Sequence, residues 1–344
     1  MSRVIHVCPR AIFANTYHGS YKDTISRIRF LESSGCDYHQ VVIDADDPDA
    51  ALGAVSEIDA ANILIEYSRY PRVLKALRER FPAAYIAVRS HNLEPLQHLD
   101  NLGWFPSRGP LWMLYGMTRL FRNDLIAKKN ASAIWSISDW ENRVYWNRLP
   151  GHAEVRWLPY HCPEHLVSKH AIAVRSRKIV ACMPTSQKNR KSWDLVCQFI
   201  AFAEQMTSSG FDELDFVVTG DVASWGLPPS TAVRYSGMIE DLADFLGKTR
   251  AVAMLSGLGY GFKTTLGDAV ANGASVIVHP RLYQRLPEEM KADALACDPN
   301  RAMDCDRIFR WMQAQTEPSS LLQRHREQVA EALDQLLQHE SVSR

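Results

Sequence analysis

The chain has 344 residues, a length for about two domains at roughly 100–200 residues each. Lys plus Arg and Asp plus Glu number 39 each, and a net charge of +0 excludes a protein that coats nucleic acid by bulk charge. Apolar residues make up 46% and charged residues 23%, which excludes a disordered chain and leaves material for two buried cores.

Met1-Ser2-Arg3-Val4 leads straight into a strand pattern, so no secretory signal is expected. Short β-branched runs then alternate with helical patterns. Val4–Cys8 reads as a strand, and Tyr21–Glu32 as a helix with Ile25, Ile28 and Leu31 on one face. Val41–Ile43 and Asn62–Glu66 read as strands, and Pro71–Phe81 as a helix that buries Val73, Leu74 and Leu77. Tyr85–Val88, Ala131–Ile137 and Val155–Leu158 complete a first set of strands. The apolar window Gly109–Phe121 is interrupted by Thr118 and Arg119 and falls short of the ~18 apolar residues of a membrane span. Residues 161–178, rich in His, Pro and Lys, read as a linker. The alternation then restarts with a strand at Ile179–Cys182, a helix at Trp193–Ala203 and strands at Phe216–Thr219, Ala251–Leu255 and Ser275–Val278. This pattern predicts two doubly wound α/β domains, 1–160 and 179–318, facing each other across a ligand cleft. Residues 319–344 hold a leucine-striped closing helix. Ser138-x-x-Glu141 and Ser320-x-x-Gln323 fit the capping box that opens a helix.

The segment Ser256–Pro280 carries the most chemistry. A Gly-rich loop follows a strand, and then come Lys263, a helix at Thr265–Asn272 and another strand. Glycines let a ligand approach the backbone, and the N–H groups near Thr264–Leu266 suit phosphate oxygens. Phe262 before Lys263 departs from a P-loop. Gly257-x-Gly259-x-Gly261, with no carboxylate on a following strand, departs from a dinucleotide fingerprint and disfavours a nucleotide-dependent oxidoreductase.

The run Tyr260-Gly-Phe-Lys-Thr-Thr-Leu-Gly-Asp268-Ala-Val-Ala-Asn-Gly-Ala-Ser-Val-Ile resembles the donor-site motif of retaining glycosyltransferases of the GT-B fold, family 4. Their usual form is Glu-Gly-Phe-Gly-x-x-x-x-Glu-Ala-x-Ala-x-Gly-x-Pro-Val. The resemblance implies a GT-B fold and assigns Asp268 to the nucleotide ribose. Tyr260 falls where the family has a glutamate on the donor sugar. Further similar segments follow in order: Tyr17-His18-Gly19-Ser20, Arg89-Ser90-His91-Asn92-Leu93-Glu94, Ile137-Ser138-Asp139-Trp140-Glu141, Trp157-Leu158-Pro159-Tyr160 and Gln187-Lys188-Asn189-Arg190-Lys191-Ser192-Trp193. Lys191 matches the family's diphosphate lysine. The expected catalytic set is therefore His91, Lys191 and Lys263. Gly19, Arg190, Tyr260, Gly261, Phe262, Thr264, Thr265 and Asp268 are the expected donor-binding set.

Other clusters read as structural. His161-x-x-Glu164-His165 has metal-motif spacing, but Pro163 opposes the helix such a motif needs. Asp44, Asp46, Asp47 and Asp49 read as a solvated acidic turn, and Glu141 as a capping residue. The seven cysteines contain no Cys-x-x-Cys and read as reduced thiols of a cytoplasmic protein. No metal or resident cofactor is expected. Trp104–Lys129 carries Trp104, Phe105, Trp112, Met113, Tyr115, Met117 and Phe121 beside Arg108, Arg119, Arg122, Lys128 and Lys129. It reads either as a core helix with a basic rim or as a contact for an anionic inner-membrane surface. The expected activity is transfer of a sugar from a nucleotide sugar to a saccharide or lipid-linked acceptor in polysaccharide assembly. The alternative is a degenerate GT-B protein that binds without turnover, for which Tyr260 is the support.

Overall fold

The computed structural model describes residues 2–16, 18–56, 58, 62–101, 104, 109–168, 176–185, 188–314 and 321–338. Six parallel strands form the first sheet: β1 (Arg3–Pro9), β2 (Asp37–Ile43), β3 (Asn62–Glu66), β4 (Tyr85–Ser90), β5 (Ala133–Ser136) and β6 (Glu154–Trp157). Six more form the second: β7 (Ile179–Cys182), β8 (Asp215–Thr219), β9 (Arg234–Gly237), β10 (Thr249–Met254), β11 (Ser275–Val278) and β12 (Ala294–Ala296). Their near-continuous apolar runs suit all-parallel sheets covered on both faces.

The second sheet has the order β12-β11-β10-β7-β8-β9, the doubly wound order of dinucleotide-binding domains. The first runs β2-β1-β3-β4-β5-β6, which has the flavodoxin-like start instead. The two chain reversals, β1/β3 and β7/β10, are the topological switch points, and ligands bind outside the carboxyl ends of such strands.

Strands β9 and β12 escaped the sequence pattern. Strand β9 reads Arg-Tyr-Ser-Gly on the sheet edge, with Arg234 and Tyr235 exposed, so no apolar run marks it. The first sheet is covered on one face by Val73, Leu74 and Leu77 from the Pro71–Arg80 helix and on the other by Leu31 and the C-terminal helix Leu321–Gln338. That helix follows the second sheet in sequence but buries Val329, Leu333 and Leu336 against Val4, Leu64 and Trp135 of the first. The second sheet is filled by Val196, Phe199 and Phe202 on one face and by Leu266, Ala269 and Val270 on the other.

The acidic turn caps helices. Asp47 accepts the Asp49 N–H at 3.1 Å, and Asp46 accepts the Arg72 and Val73 N–H groups at the start of the Pro71–Arg80 helix. Ser138 caps the Asp139–Val144 helix through the Glu141 N–H at 3.4 Å, but Ser138 N–H donates to Ser136 Oγ rather than to Glu141. The capping box is therefore one-sided, and the Glu141 carboxyl is directed elsewhere. In the expected linker, Glu164–Leu166 forms a single 3-10 turn and His165 meets Arg29 at 2.9 Å. No metal-sized group of His, Cys, Asp and Glu occurs among the described residues. The seven cysteines are free thiols. No helix among the described residues is long and apolar enough to cross a membrane. Tyr17, Phe105, Arg108, Gln187 and the Ser320 cap lie outside the described residues.

Candidate functional site

Loops from both switch points meet in one cleft. After β1 the chain turns into the Gly19–Ser33 helix, capped by His18, whose Nδ1 accepts the Ser20 N–H at 3.3 Å. After β3 comes Tyr67 with φ 73°, a left-handed backbone that is uncommon for a bulky side chain and clusters at functional sites. After β4 comes His91, its ring 4.3 Å from that of Tyr67. The opposite wall is built from Thr185 after β7, Lys191 in the Arg190–Ser208 helix, and the Gly-rich loop after β10 that leads into the Thr264–Ala271 helix.

Two glycines in that loop are required. Gly259 has φ 87°, and a Cβ there would lie 2.5 Å from Lys191 Cδ and 3.2 Å from Lys263 Nζ. Gly261 has φ 77°, and a Cβ there would overlap the Asn92 amide and lie 2.8 Å from the His91 carbonyl. Lys191 and Lys263 therefore run side by side along the bare backbone of Gly259, each half-buried. Burial lowers the pKa of both. For Lys263 the neighbouring Lys191 charge adds to the fall and takes it well below the usual lysine range; for Lys191, Asp100 opposes it. The Lys263 ammonium donates to the Tyr260 carbonyl. The N-termini of the Arg190–Ser208 and Thr264–Ala271 helices bring their positive dipole ends to the same place.

Of the expected residues, Gly19, His91, Lys191, Phe262, Lys263, Thr264 and Thr265 line the cleft. Gly261 holds the loop against the other domain. Arg190 donates to the Asp100 carbonyl at 3.3 Å. Tyr260 turns its ring toward Arg285, whose guanidinium lies 4.4 Å from the ring centre and 5.0 Å from that of Trp140. Asp268, which the resemblance assigns to the ribose, lies at the contact between the two halves. It is 1% exposed, one oxygen holds Lys22 Nζ at 2.5 Å and the other accepts the Tyr160 hydroxyl at 2.5 Å. Its charge is thus already engaged between the two halves of the molecule.

His91 is also engaged. Its Nε2 meets Glu66 at 2.7 Å and its Nδ1 faces Asp23 at 3.4 Å. Arg27 pairs with both carboxylates, Arg89 pairs with Asp23, and His6 donates to Glu66 at 2.8 Å. Despite burial, these cations hold Asp23 at a pKa of about 2 and Glu66 well below the usual carboxylate range. The cluster fixes the His91 ring and takes both of its nitrogens.

The sequence reading missed His18, Lys22, Tyr67 and Gln97, which also line the cleft. His18 sat inside a segment noted only for its glycine. Nothing local in the sequence marks the left-handed backbone of Tyr67.

The halves touch directly. Beyond Lys22 and Asp268, Glu141 accepts the Gly261 N–H at 2.7 Å and Asp100 accepts the Gly259 N–H at 2.6 Å. A Cβ on Gly19 would lie 2.5 Å from Thr264 Oγ1.

No family model matches the chain, and no curated protein matches it in sequence. Solved structures match across its whole length. Sucrose-phosphate synthase from Thermosynechococcus elongatus superposes with a TM-score of 0.67 at 15% identity, covering 98% of each chain. Anabaena HepE in complex with UDP-glucose gives 0.65 at 11% identity, over 97% of this chain and 100% of that one. The UDP-forming α,α-trehalose-phosphate synthase from Burkholderia vietnamiensis gives 0.60 at 14% identity, over 98% and 95%. Together with the two facing parallel sheets, these likenesses give this chain the GT-B fold.

Proposed function

We propose that this chain is a glycosyltransferase that moves a sugar from a nucleotide donor to an acceptor hydroxyl with retention of anomeric configuration. The carrying observation is the pair of half-buried ammonium groups, Lys191 and Lys263, packed together beside Gly259 at two helix N-termini. A diphosphate has the charge to neutralise both, and the helix-start amides supply further donors. As the bond from the anomeric carbon to the diphosphate oxygen breaks, negative charge grows on the leaving group. Fixed cations stabilise that charge, work that other enzymes give to a divalent metal.

Where a proton can go supports retention. Inversion needs a base to take the acceptor proton on the face opposite the leaving group. Among the described residues that line the cleft there is no carboxylate. His18 commits Nδ1 to the Ser20 N–H, which leaves the proton of the neutral ring on Nε2, and His91 faces carboxylates through both nitrogens. The departing diphosphate oxygen is then the acceptor for the hydroxyl proton, and the new bond forms on the face it leaves. The likeness to HepE, solved with UDP-glucose, supports a uridine nucleotide sugar as donor.

The acceptor is a saccharide or a lipid-linked saccharide in polysaccharide assembly, reached from the cytoplasmic side of a membrane. The Pro110–Asn130 helix supports a peripheral contact. Leu111, Leu114 and Tyr115 are 82%, 52% and 68% exposed, with Arg119, Arg122 and Lys129 on the same outer surface.

Calorimetry with UDP, GDP, ADP and NAD, followed by NMR assignment of the product anomer, tests the reading. UDP or GDP binding with an α-linked product from an α-linked donor is the expected result. NAD binding alone would make the chain a dinucleotide enzyme. A second reading, nucleotide binding without transfer, is favoured by Tyr260 lying on Arg285 rather than offering a carboxylate to a sugar. Binding with neither transfer nor donor hydrolysis would establish it.

A further inference from the structure

Glu141 is a fully buried carboxyl that the transfer chemistry does not use. It lies in the short Asp139–Val144 helix on the side of the first sheet. Its Oε1 accepts two backbone N–H groups, Gly261 at 2.7 Å from across the cleft and Leu93 at 3.1 Å from its own side. Its Oε2 is enclosed and meets no hydrogen-bond partner. Gly261 fits into this contact only because it lacks a side chain: the Asn92 amide and the His91 carbonyl occupy the space a Cβ would need. The Asn92 amide nitrogen, turned toward the loop, reaches the Tyr260 carbonyl at 3.2 Å and closes the same slot. Lys263 follows two residues later, and its ammonium folds back to Tyr260. Holding the Gly261 N–H therefore fixes the turn that carries Lys263 and the first amides of the Thr264–Ala271 helix.

We propose that Glu141 is a positioning residue of the donor site: reaching across the cleft, it clamps the Gly-rich loop in the shape that presents Lys263 and the helix N-terminus to a diphosphate. The geometry of the clamp stands alone, while its effect on ligand rests on reading the cleft as a diphosphate site. The charged and titratable groups that face Glu141 are Lys263 across the cleft, Glu94 on its own side and Tyr145 just beyond its helix. Burial pushes the carboxyl up to about 7, against the pull of the Gly261 and Leu93 N–H groups and of Lys263. Between pH 8 and pH 6 Glu141 therefore gains a proton and stops opposing the negative charge of a diphosphate beside Lys263. Glu141 thus tightens diphosphate binding as the pH falls.

The test uses the full chain as the parent, Glu141→Gln and Glu141→Ala. Hydrogen exchange at the Gly261 amide is measured without ligand. Glu141→Ala speeds exchange at least tenfold, and Glu141→Gln, whose side-chain oxygen accepts the same N–H groups, stays within about twofold of the parent. UDP titrations at pH 6, 7 and 8 follow. Glu141→Ala binds about tenfold more weakly, Glu141→Gln keeps parental affinity at pH 6, and the parent loses affinity several-fold relative to Glu141→Gln on going to pH 8. A role in stability alone would shift the melting temperature without this difference in pH profile. If Glu141→Ala does not fold, Glu141→Asp replaces it, its carboxylate withdrawn by one methylene. Unchanged exchange at Gly261, or a pH profile in Glu141→Gln identical to the parent's, overturns the proposal. If the parent binds no nucleoside diphosphate, the transferase reading falls, and the exchange measurement still decides the clamp.

Discussion

At the scale of single residues, the cleft is governed by charges held close together with few anions to meet them. Lys191 and Lys263 share the backbone of Gly259, and after burial the Lys191 charge lowers the Lys263 ammonium further, an arrangement that a dianion between them would relieve. Lys263→Ala is expected to weaken UDP binding by about 1.5–3 kcal/mol, the range for hydrogen bonds to charged groups. Calorimetry at fixed salt measures it, and equal affinity in variant and parent would remove Lys263 from the diphosphate site. The lysine and its Gly-rich context were legible in the sequence because both are local. The commitment of His91 to Glu66 and Asp23 was not, since those carboxylates arrive from β3 and from the Gly19–Ser33 helix. The same holds for Glu141, whose spacing from Ser138 suggested a cap while its carboxyl serves a loop from the other sheet.

At the scale of elements, the Pro110–Asn130 helix has two distinct faces. Inward, Gly116 packs so closely on His98 that no side chain fits. Also inward, Asp124, 1% exposed, accepts from Ser68 Oγ at 2.5 Å and from Tyr145 Oη at 2.7 Å. Burial raises the Asp124 carboxyl to about 7, above its unfolded value near 3.9. The folded state therefore holds a proton that the unfolded chain releases, and this group's contribution to stability falls as the pH rises from about 4 to about 7. The loss by pH 8 is of order 4 kcal/mol at most. Asp124→Asn is expected to gain stability over the parent at pH 8 relative to pH 5, as read by urea unfolding at both. A constant difference between the two would contradict the raised value.

Outward, the same helix exposes Leu111, Trp112, Leu114, Tyr115 and Phe121 beside Arg119 and Arg122. Each basic residue near an anionic lipid surface adds roughly 1 kcal/mol, screened within about 8–10 Å. Co-sedimentation with phosphatidylserine vesicles is expected at low salt, to weaken at high salt, and to be lost in Arg119→Glu with Arg122→Glu. A parent that stays in the supernatant at low salt would leave the face without a lipid partner. From the sequence, a core helix with a basic rim and a membrane-surface contact both fitted this segment; the structure buries Met113, Gly116 and Asp124 and leaves Leu111, Leu114 and Tyr115 exposed.

At the scale of the whole molecule, the two halves are joined by buried polar contacts as well as by chain. The Lys22–Asp268 pair crosses the cleft with side chains 6% and 1% exposed, and the Tyr160 hydroxyl donates to the other carboxylate oxygen. Removing one member of a buried pair leaves an uncompensated charge, typically at about 3–5 kcal/mol. Asp268→Asn is expected to lower stability by an amount of that order. It should leave the preference for UDP over 2′-deoxy-UDP unchanged, since Lys22 and Tyr160 already engage both carboxylate oxygens. Unfolding by urea and paired titrations with the two nucleotides check both halves of the expectation, and a ribose preference lost in the variant would return Asp268 to the nucleotide site. The C-terminal helix ties the ends of the chain together by the same logic, burying Val329, Leu333 and Leu336 on the first sheet after the second is complete.

The sequence by itself determined two parallel α/β halves and a loop of glycines followed by lysine and a helix start, with glycine spacing that departs from a dinucleotide fingerprint. All of these are carried by residues within one or two turns of each other, where periodicity and backbone freedom act. The tertiary structure alone decided the strand order at β1, β2 and β3, the engagement of Asp268 with Lys22 across 246 residues, and the reach of Glu141 to Gly261 across 120. Such contacts depend on how the two sheets are set against each other, and no local pattern of side chains records that placement.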